Sequence, residues 1–178
     1  DAALANNELE TAYATLVHGM ELTDAQRIGR LVLLGDRFAA EAKPDRAAVS
    51  YQQVVDLAVL SPRLSDPVRA DALLAAGKGY AAAEMETLAL DAYDQVYVLA
   101  LGSPYLQMAN RRDLLVALVT AYDELGYGQR SAACEAQIVE LDQAAPQLPI
   151  EPASRPELPL AGDVISSPEI GALEEARR

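Results

Sequence analysis

The stretch Ala75 to Tyr80, AAGKGY, sets a lysine between two glycines and raises the question of phosphate binding. A phosphate loop of the G-x-x-x-x-G-K-[ST] type cradles its ligand with backbone N–H groups and a lysine. That pattern needs glycine at position 72 and Ser or Thr at 79, but the chain has Ala72 and Gly79. The loop reading fails at both positions.

Other reactive groups are sparse. His18 is the single histidine, which removes Ser-His, Cys-His and multi-His metal arrangements within one chain, and a surface or helix-end role is expected. Cys134 is the single cysteine, so the chain carries no internal disulfide framework and no thiolate metal site. Glu135 is its neighbour and Arg130 its one nearby cation, so a packed structural thiol is expected. Asp91, Asp94 and the Glu84-Glu86 pair fall on polar helix faces as solvated surface. Asp123-Glu124 is the carboxylate pair on a face otherwise made of Ala39-Ala40 and Ala81-Ala82. No nucleophile, base and orienting group come together, so catalysis is the disfavoured class, and neither a cofactor nor a metal is expected.

The 178 residues, 51% of them apolar, suffice for one domain with a sizeable core. A formal net charge of -13 repels phosphate backbones and anionic headgroups alike, so nucleic acid is not an expected partner. No apolar run reaches the roughly 18 residues a bilayer span requires, so no direct membrane insertion is expected. Asp1 is not an initiator Met, which fits a processed or excised chain and leaves the compartment open.

These residues need positioning elements, and the signals for them are helical. Apolar positions recur at three- and four-residue steps, as in LLVALVTAYDEL, and strand signals are nearly absent. Asp24 is placed to cap a helix running to about Ala42. Pro44 opens the next, which Ser61-Pro62 closes. Asp66-Pro67 opens a helix to about Ala83, and EMET makes the turn. Thr87 caps a helix ending at Leu101-Gly102, Ser103-Pro104 repeats the start signal, Gly126-Tyr127-Gly128 breaks that helix, and a last one spans about Gln129 to Gln143.

Slid against itself by 42 residues, the apolar skeleton superposes twice. Leu31, Leu73 and Leu115 align, as do Phe38, Tyr80 and Tyr122, then Ala47, Ala89 and Ser131, then Val54, Val96 and Ile138. Carried backwards, the offset sets Ala5, Leu9 and Ala12 on second-helix positions, so the chain starts halfway through a repeat. Gly35 and Gly77 recur inside the first helix of a pair, where a missing side chain lets the second helix cross closely. Glycine costs roughly 1 kcal/mol against alanine in a helix interior, and the close contact must offset that. Gly79, matched by Arg37, is expected to face solvent or a groove. The periodic tyrosines are expected in the core, Tyr97 and Tyr105 at the surface.

At these residues the chain resembles the tetratricopeptide repeat family. The resemblance lies in LLGDRFAAEAKPDRAAVSYQQVVDL, AAGKGYAAAEMETLALDAYDQVYVL and ALVTAYDELGYGQRSAACEAQIVEL, within residues 1–143. The family's usual period is about 34. The longer period here falls after the second helix of each pair, and the third copy has Val119 for the glycine and Glu135 where Tyr51 and Tyr93 stand. The resemblance implies an all-α, right-handed superhelical array of antiparallel helix pairs: a half repeat over 1–20, then repeats over about 24–61, 66–102 and 104–143. It also implies a ligand groove lined by the first helices, which by matching positions is Val32, Asp36, Ala39, Leu74, Lys78, Ala81, Val116, Thr120 and Asp123. The family's clamp for C-terminal carboxylates needs several basic side chains there, and Lys78 alone is basic. An apolar or weakly basic protein or peptide segment suits the lining.

Residues 144–178 are of different composition. Closely spaced prolines in APQLPIEPASRPELPLAGDVISSP give an extended arm, with Leu148, Ile150, Leu158 and Leu160 as apolar anchors and a short terminal helix from Pro168. Such an arm is long enough to run back along its own array or cross to a neighbour, which makes a homo-oligomer one expected outcome. The function expected is a non-catalytic scaffold. The alternative is a structural subunit of a larger assembly, including a membrane-associated one, docking through its convex face or its arm.

Overall fold

The structure is a computed structural model that describes residues 2–18 and 22–144, with side chains from Glu8 to Leu16 and from Leu22 onward. The arm anchors Leu148, Ile150, Leu158 and Leu160 and the side chain of His18 lie outside the described residues.

Seven helices account for the described chain: α1 (Ala2–His18), α2 (Asp24–Ala40), α3 (Pro44–Leu60), α4 (Asp66–Ala82), α5 (Glu86–Gly102), α6 (Met108–Glu124) and α7 (Gly128–Ala144). Each is 17 residues long, and each starts 42 positions after its counterpart one pair earlier. No strand occurs among the described residues. Packing is in consecutive pairs, α2 on α3, α4 on α5 and α6 on α7. Neighbouring pairs meet through α3 on α4, α5 on α6 and α2 on α4, while α1 packs on α2.

Two kinds of turn keep this phase. Within a pair, Ala42, Glu84 and Gly126 take up left-handed backbone, with φ of 54, 59 and 81°. The N–H of the next residue then reaches back to close each first helix: Lys43 to the Phe38 carbonyl at 2.9 Å, Met85 to Tyr80 at 2.9 Å, Tyr127 to Tyr122 at 2.8 Å. This is the Schellman termination, which satisfies carbonyls the helix leaves open. Between pairs, Ser61 and Ser103 end α3 and α5, and each hydroxyl donates across the pair to the first residue of its first helix. Ser61 reaches Asp24 at 2.6 Å and Ser103 reaches Asp66 at 2.5 Å.

Four expectations change here. Thr23, not Asp24, is the N-cap of α2, in a reciprocal capping box with Gln26; Asp24 is instead the acceptor for Ser61. Met85, not Thr87, precedes α5, because the Schellman turn leaves no residue to spare before the helix. The α6 helix starts at Met108, beyond Ser103-Pro104, because Ser103 is committed to Asp66 and the next residues bury Leu106 in a turn. Gly79 is buried in the contact with the preceding pair instead of facing solvent or a groove.

The core runs along the pairs as equivalent positions. Leu31, Leu73 and Leu115 are fully buried, as are Ala47 and Ala89, Val54 and Val96, and Ala58 and Ala100, with Phe38, Tyr80 and Tyr122 beside them. Each buried leucine contributes about 1.5–3 kcal/mol relative to exposure.

Candidate binding site

The glycines of the opening motif serve packing. A Cβ on Gly77 would lie 2.4 Å from the Tyr93 ring of α5, and one on Gly79 would lie 2.3 Å from the Tyr51 ring of α3. Gly35 on α2 meets the same Tyr51 ring at 2.5 Å. Tyr51 is therefore held between the backbones of two first helices, and α4 lies against a tyrosine on each side. Lys78, between its two glycines, is exposed. In the third pair Glu135 replaces the tyrosine and Val119 the glycine, so both departures have one cause: without the ring, the gap is not needed.

Polar side chains join helices both within and between pairs. Tyr51 of α3 donates to Asp36 of α2 inside its own pair at 2.7 Å, and Tyr122 of α6 donates to Asp94 of α5 in the preceding pair at 2.8 Å. Asp94 also takes both contacts of the Arg130 guanidinium, at 2.6 and 2.7 Å, so it is a junction between α5, α6 and α7 instead of solvated surface. Arg46 on α3 pairs with Glu10 on α1 at the equivalent positions two periods earlier than those of Arg130 and Asp94. Burial, with Asp36 or Asp94 adding to it, pushes the Tyr51 and Tyr122 hydroxyls well above their ordinary range. Tyr80 and Tyr93 are pushed up to about 12, mainly by burial. Tyr51 and Tyr80 pack edge to face at 5.4 Å, as do Tyr93 and Tyr122 at 5.9 Å.

Sequence reasoning on the apolar skeleton missed one recurrent cation. Arg27, Arg69 and Arg111 stand 42 apart. Arg69 donates to the Ala58 and Val59 carbonyls at 2.7 and 3.0 Å and to those of Ser61 and Leu64 at 2.9 and 3.2 Å. Arg111 does the same for Leu101, Leu106 and Ser103. The Arg69 and Arg111 guanidinium groups thus close the C-terminal carbonyls of the preceding second helix, where a cation also suits the helix dipole. The same self-comparison that aligned the leucines exposes this D-x-x-R signal in Asp24–Arg27 and Asp66–Arg69.

The nine positions matched to a groove divide into two sets. Val32, Ala39, Leu74 and Ala81 are half-buried and pack against the core, whereas Asp36, Lys78, Val116, Thr120 and Asp123 are exposed. Asp36 already accepts the Tyr51 hydroxyl. Leu74 is brought into a recess of about 320 Å³ between α4 and α6, whose carboxylates are Asp71 and Asp113, with Asn110 and the apolar Pro67, Leu106 and Leu114 completing it. Asp71 and Asp113 stand one period apart, a recurrence visible in the sequence that the apolar alignment passed over. The other eight matched positions do not line this recess.

Another recess, of about 390 Å³, lies on the second helices between α3 and α5, with Val59, Val98 and Leu99 in its lining and Arg69 and Asp94 beside them. Val98 is 67% exposed and neighbouring Leu60 76%. Cys134 is buried in α7, and burial first, then Asp94, pushes its thiol up to about 11. It is a packed thiol, as expected. Among the described residues no three His, Cys, Asp or Glu side chains group as metal ligands, and no helix is long and apolar enough to cross a membrane.

Comparisons with family models, with curated proteins and with solved structures found no match for this chain.

Proposed function

We propose that the chain is a non-catalytic scaffold, a right-handed superhelix of tetratricopeptide-like pairs, that holds a protein or peptide segment against its first helices. The observation that carries this is the recess between α4 and α6. It sets two carboxylates of equivalent phase, Asp71 and Asp113, around the apolar Leu74, Leu106 and Leu114. An extended or helical segment with an apolar anchor and a lysine or arginine a few residues away complements that lining. The buried tyrosine hydroxyls are engaged inside the array, Tyr51 by Asp36 and Tyr122 by Asp94, whereas Asp71 and Asp113 are exposed on the first helices.

The test is selection of binders from a random peptide library on the immobilised chain, followed by titration of the selected peptides. Reversing both charges, Asp71→Lys with Asp113→Lys, is expected to weaken binding at least tenfold and to flatten its salt dependence. Selected peptides that bind the double variant unchanged would contradict the proposal.

A second reading rests on a different surface. Val59, Leu60, Val98 and Leu101 leave an exposed apolar patch at the C-terminal ends of α3 and α5, and such patches mark protein contacts. A structural subunit docking through its second helices would use it. Val98→Asp separates the two, since it disrupts assembly in this reading and leaves peptide binding untouched in the first.

A further inference from the structure

The recess on the second helices lies inside the array, between α3 and α5 over α4, each of which has a helix packed on either side. It departs from its equivalents. Where Val98 stands exposed in this recess, the matched residues one period away are Asp56 on α3 and Glu140 on α7. In α7, Gln137 donates to Glu140 at 3.1 Å. The matched pair in α5 is Gln95 and Val98, so the Gln95 carboxamide lines the recess without that acceptor. The remaining polar groups of the lining are engaged: Arg69 holds the carbonyls that end α3, and Asp94 holds Tyr122 and Arg130.

A fitting occupant is apolar, short of N–H donors and able to give Gln95 a carbonyl. Helix walls offer no strand edge to pair with, so contact falls to side chains, which suits a proline-rich segment whose backbone stays solvated. Residues 148–160, LPIEPASRPELPL, have this composition. Glu151 and Glu157 outnumber Arg155 among their charges, so the absence of a carboxylate at position 98 also removes a repulsion.

Reach and direction agree. Ala144, where α7 ends, matches Gly102 and Leu60, where α5 and α3 end, so the arm departs at the edge on which Val59 and Leu99 lie. Stepping from α7 through α6, α5 and α4 to α3 at about 10 Å per packed neighbour sets α5 within about 20 Å and α3 within about 40 Å of α7. At about 3.1 Å per residue, Leu148 and Leu160 lie roughly 12 and roughly 50 Å of chain beyond Ala144, on either side of that range. We infer that residues 148–160 seat in the recess between α3 and α5, their apolar side chains along Val59, Leu60, Val98 and Leu99 and a backbone carbonyl accepting from Gln95. The chain thereby covers its own second-helix patch and leaves the first-helix surface open.

The test places a benzophenone on Ala153→Cys of the full 178-residue chain by thiol labelling, which leaves the buried Cys134 unreacted, and maps the products of illumination by mass spectrometry. Crosslinks to α3 and α5 around Val59 and Val98 within the same molecule are expected. Val98→Glu, which restores the Gln-Glu pair of α7, is expected to cut their yield at least tenfold. Should that variant fail to give a native melt, Leu148→Ser with Ile150→Ser makes the same disruption from the arm. Asp71→Lys with Asp113→Lys should leave the yield unchanged, which separates this contact from the proposed groove. Crosslinks to α4 and α6 around Asp71 and Asp113, or none to the array, overturn the inference, and so does a yield that the disrupting variant leaves unchanged. Crosslinks found only between molecules, in a mixture of isotopically light and heavy chains, make a second copy the occupant and overturn it too.

Discussion

The fate of Tyr51 shows how single residues set the spacing of this array. Its ring is enclosed by Gly35 on one first helix and Gly79 on the next, and its hydroxyl is fixed by Asp36. Gly79→Ala is therefore expected to destabilise the fold by about 1–3 kcal/mol through overpacking. Gly29, also helical but with open space around its Cα, gives the control: Gly29→Ala should be neutral or stabilise by up to about 1 kcal/mol. Urea denaturation of both variants checks this, and equal effects would show that the Tyr51 contact does not set the helix separation. The role of Gly35 and Gly77 was legible because their recurrence matched a helix crossing within one pair. Gly79 was not, because its contact is with a different pair, and no local pattern reports which tyrosine faces which backbone. Asp94 was misjudged for the same reason: its partners, Tyr122 and Arg130, come from α6 and α7.

At the level of elements, seven helices of one length and one period follow from two recurring turns. The left-handed position in the intra-pair turn falls on Ala42, Glu84 and Gly126, and only the third is the residue that adopts it without strain. Ala42→Gly is expected to raise stability by about 0.5–1 kcal/mol, and Gly126→Ala to lower it by about 1 kcal/mol. Thermal melts that move in the same direction for both would contradict the turn assignment. Helix existence and phase were legible in the sequence from the 42-residue offset, and most ends fell within a residue or two. The start of α6 was not, because Ser103-Pro104 carries a start signal whose serine is used by Asp66, a residue far away in sequence. The arginines that close α3 and α5 were equally visible at the offset, but an alignment read for leucines passes over them. The candidate site was legible in part: Leu74 was placed at it, whereas Asp71 and Asp113 belong to a recess that exists only once α4 and α6 are neighbours.

Across the whole molecule, buried phenols tie the stability of the array to pH. Tyr80 and Tyr93 are raised from an ordinary 10.0 to about 12, Tyr51 and Tyr122 shift the same way, and Cys134 rises from 9.0 to about 11. In each case the folded chain holds its proton more tightly than the unfolded chain. Their contribution is thus complete below about pH 9 and is lost as pH rises through the folded values. The urea midpoint should fall steeply between about pH 9 and 12, with phenolate absorbance appearing together with unfolding. Phenolate formation in a chain that keeps its helical spectrum would mean that these rings are not held in the core.

The account's central claim is that the first helices present the ligand surface, and hydrogen exchange with and without a selected peptide tests it most directly. Bound peptide is predicted to slow exchange along α4 and α6, strongest around Asp71, Leu74 and Asp113, while α3 and α5 around Val59 and Val98 stay as they are. Protection confined to the ends of α3 and α5 would contradict it and assign binding to the second helices.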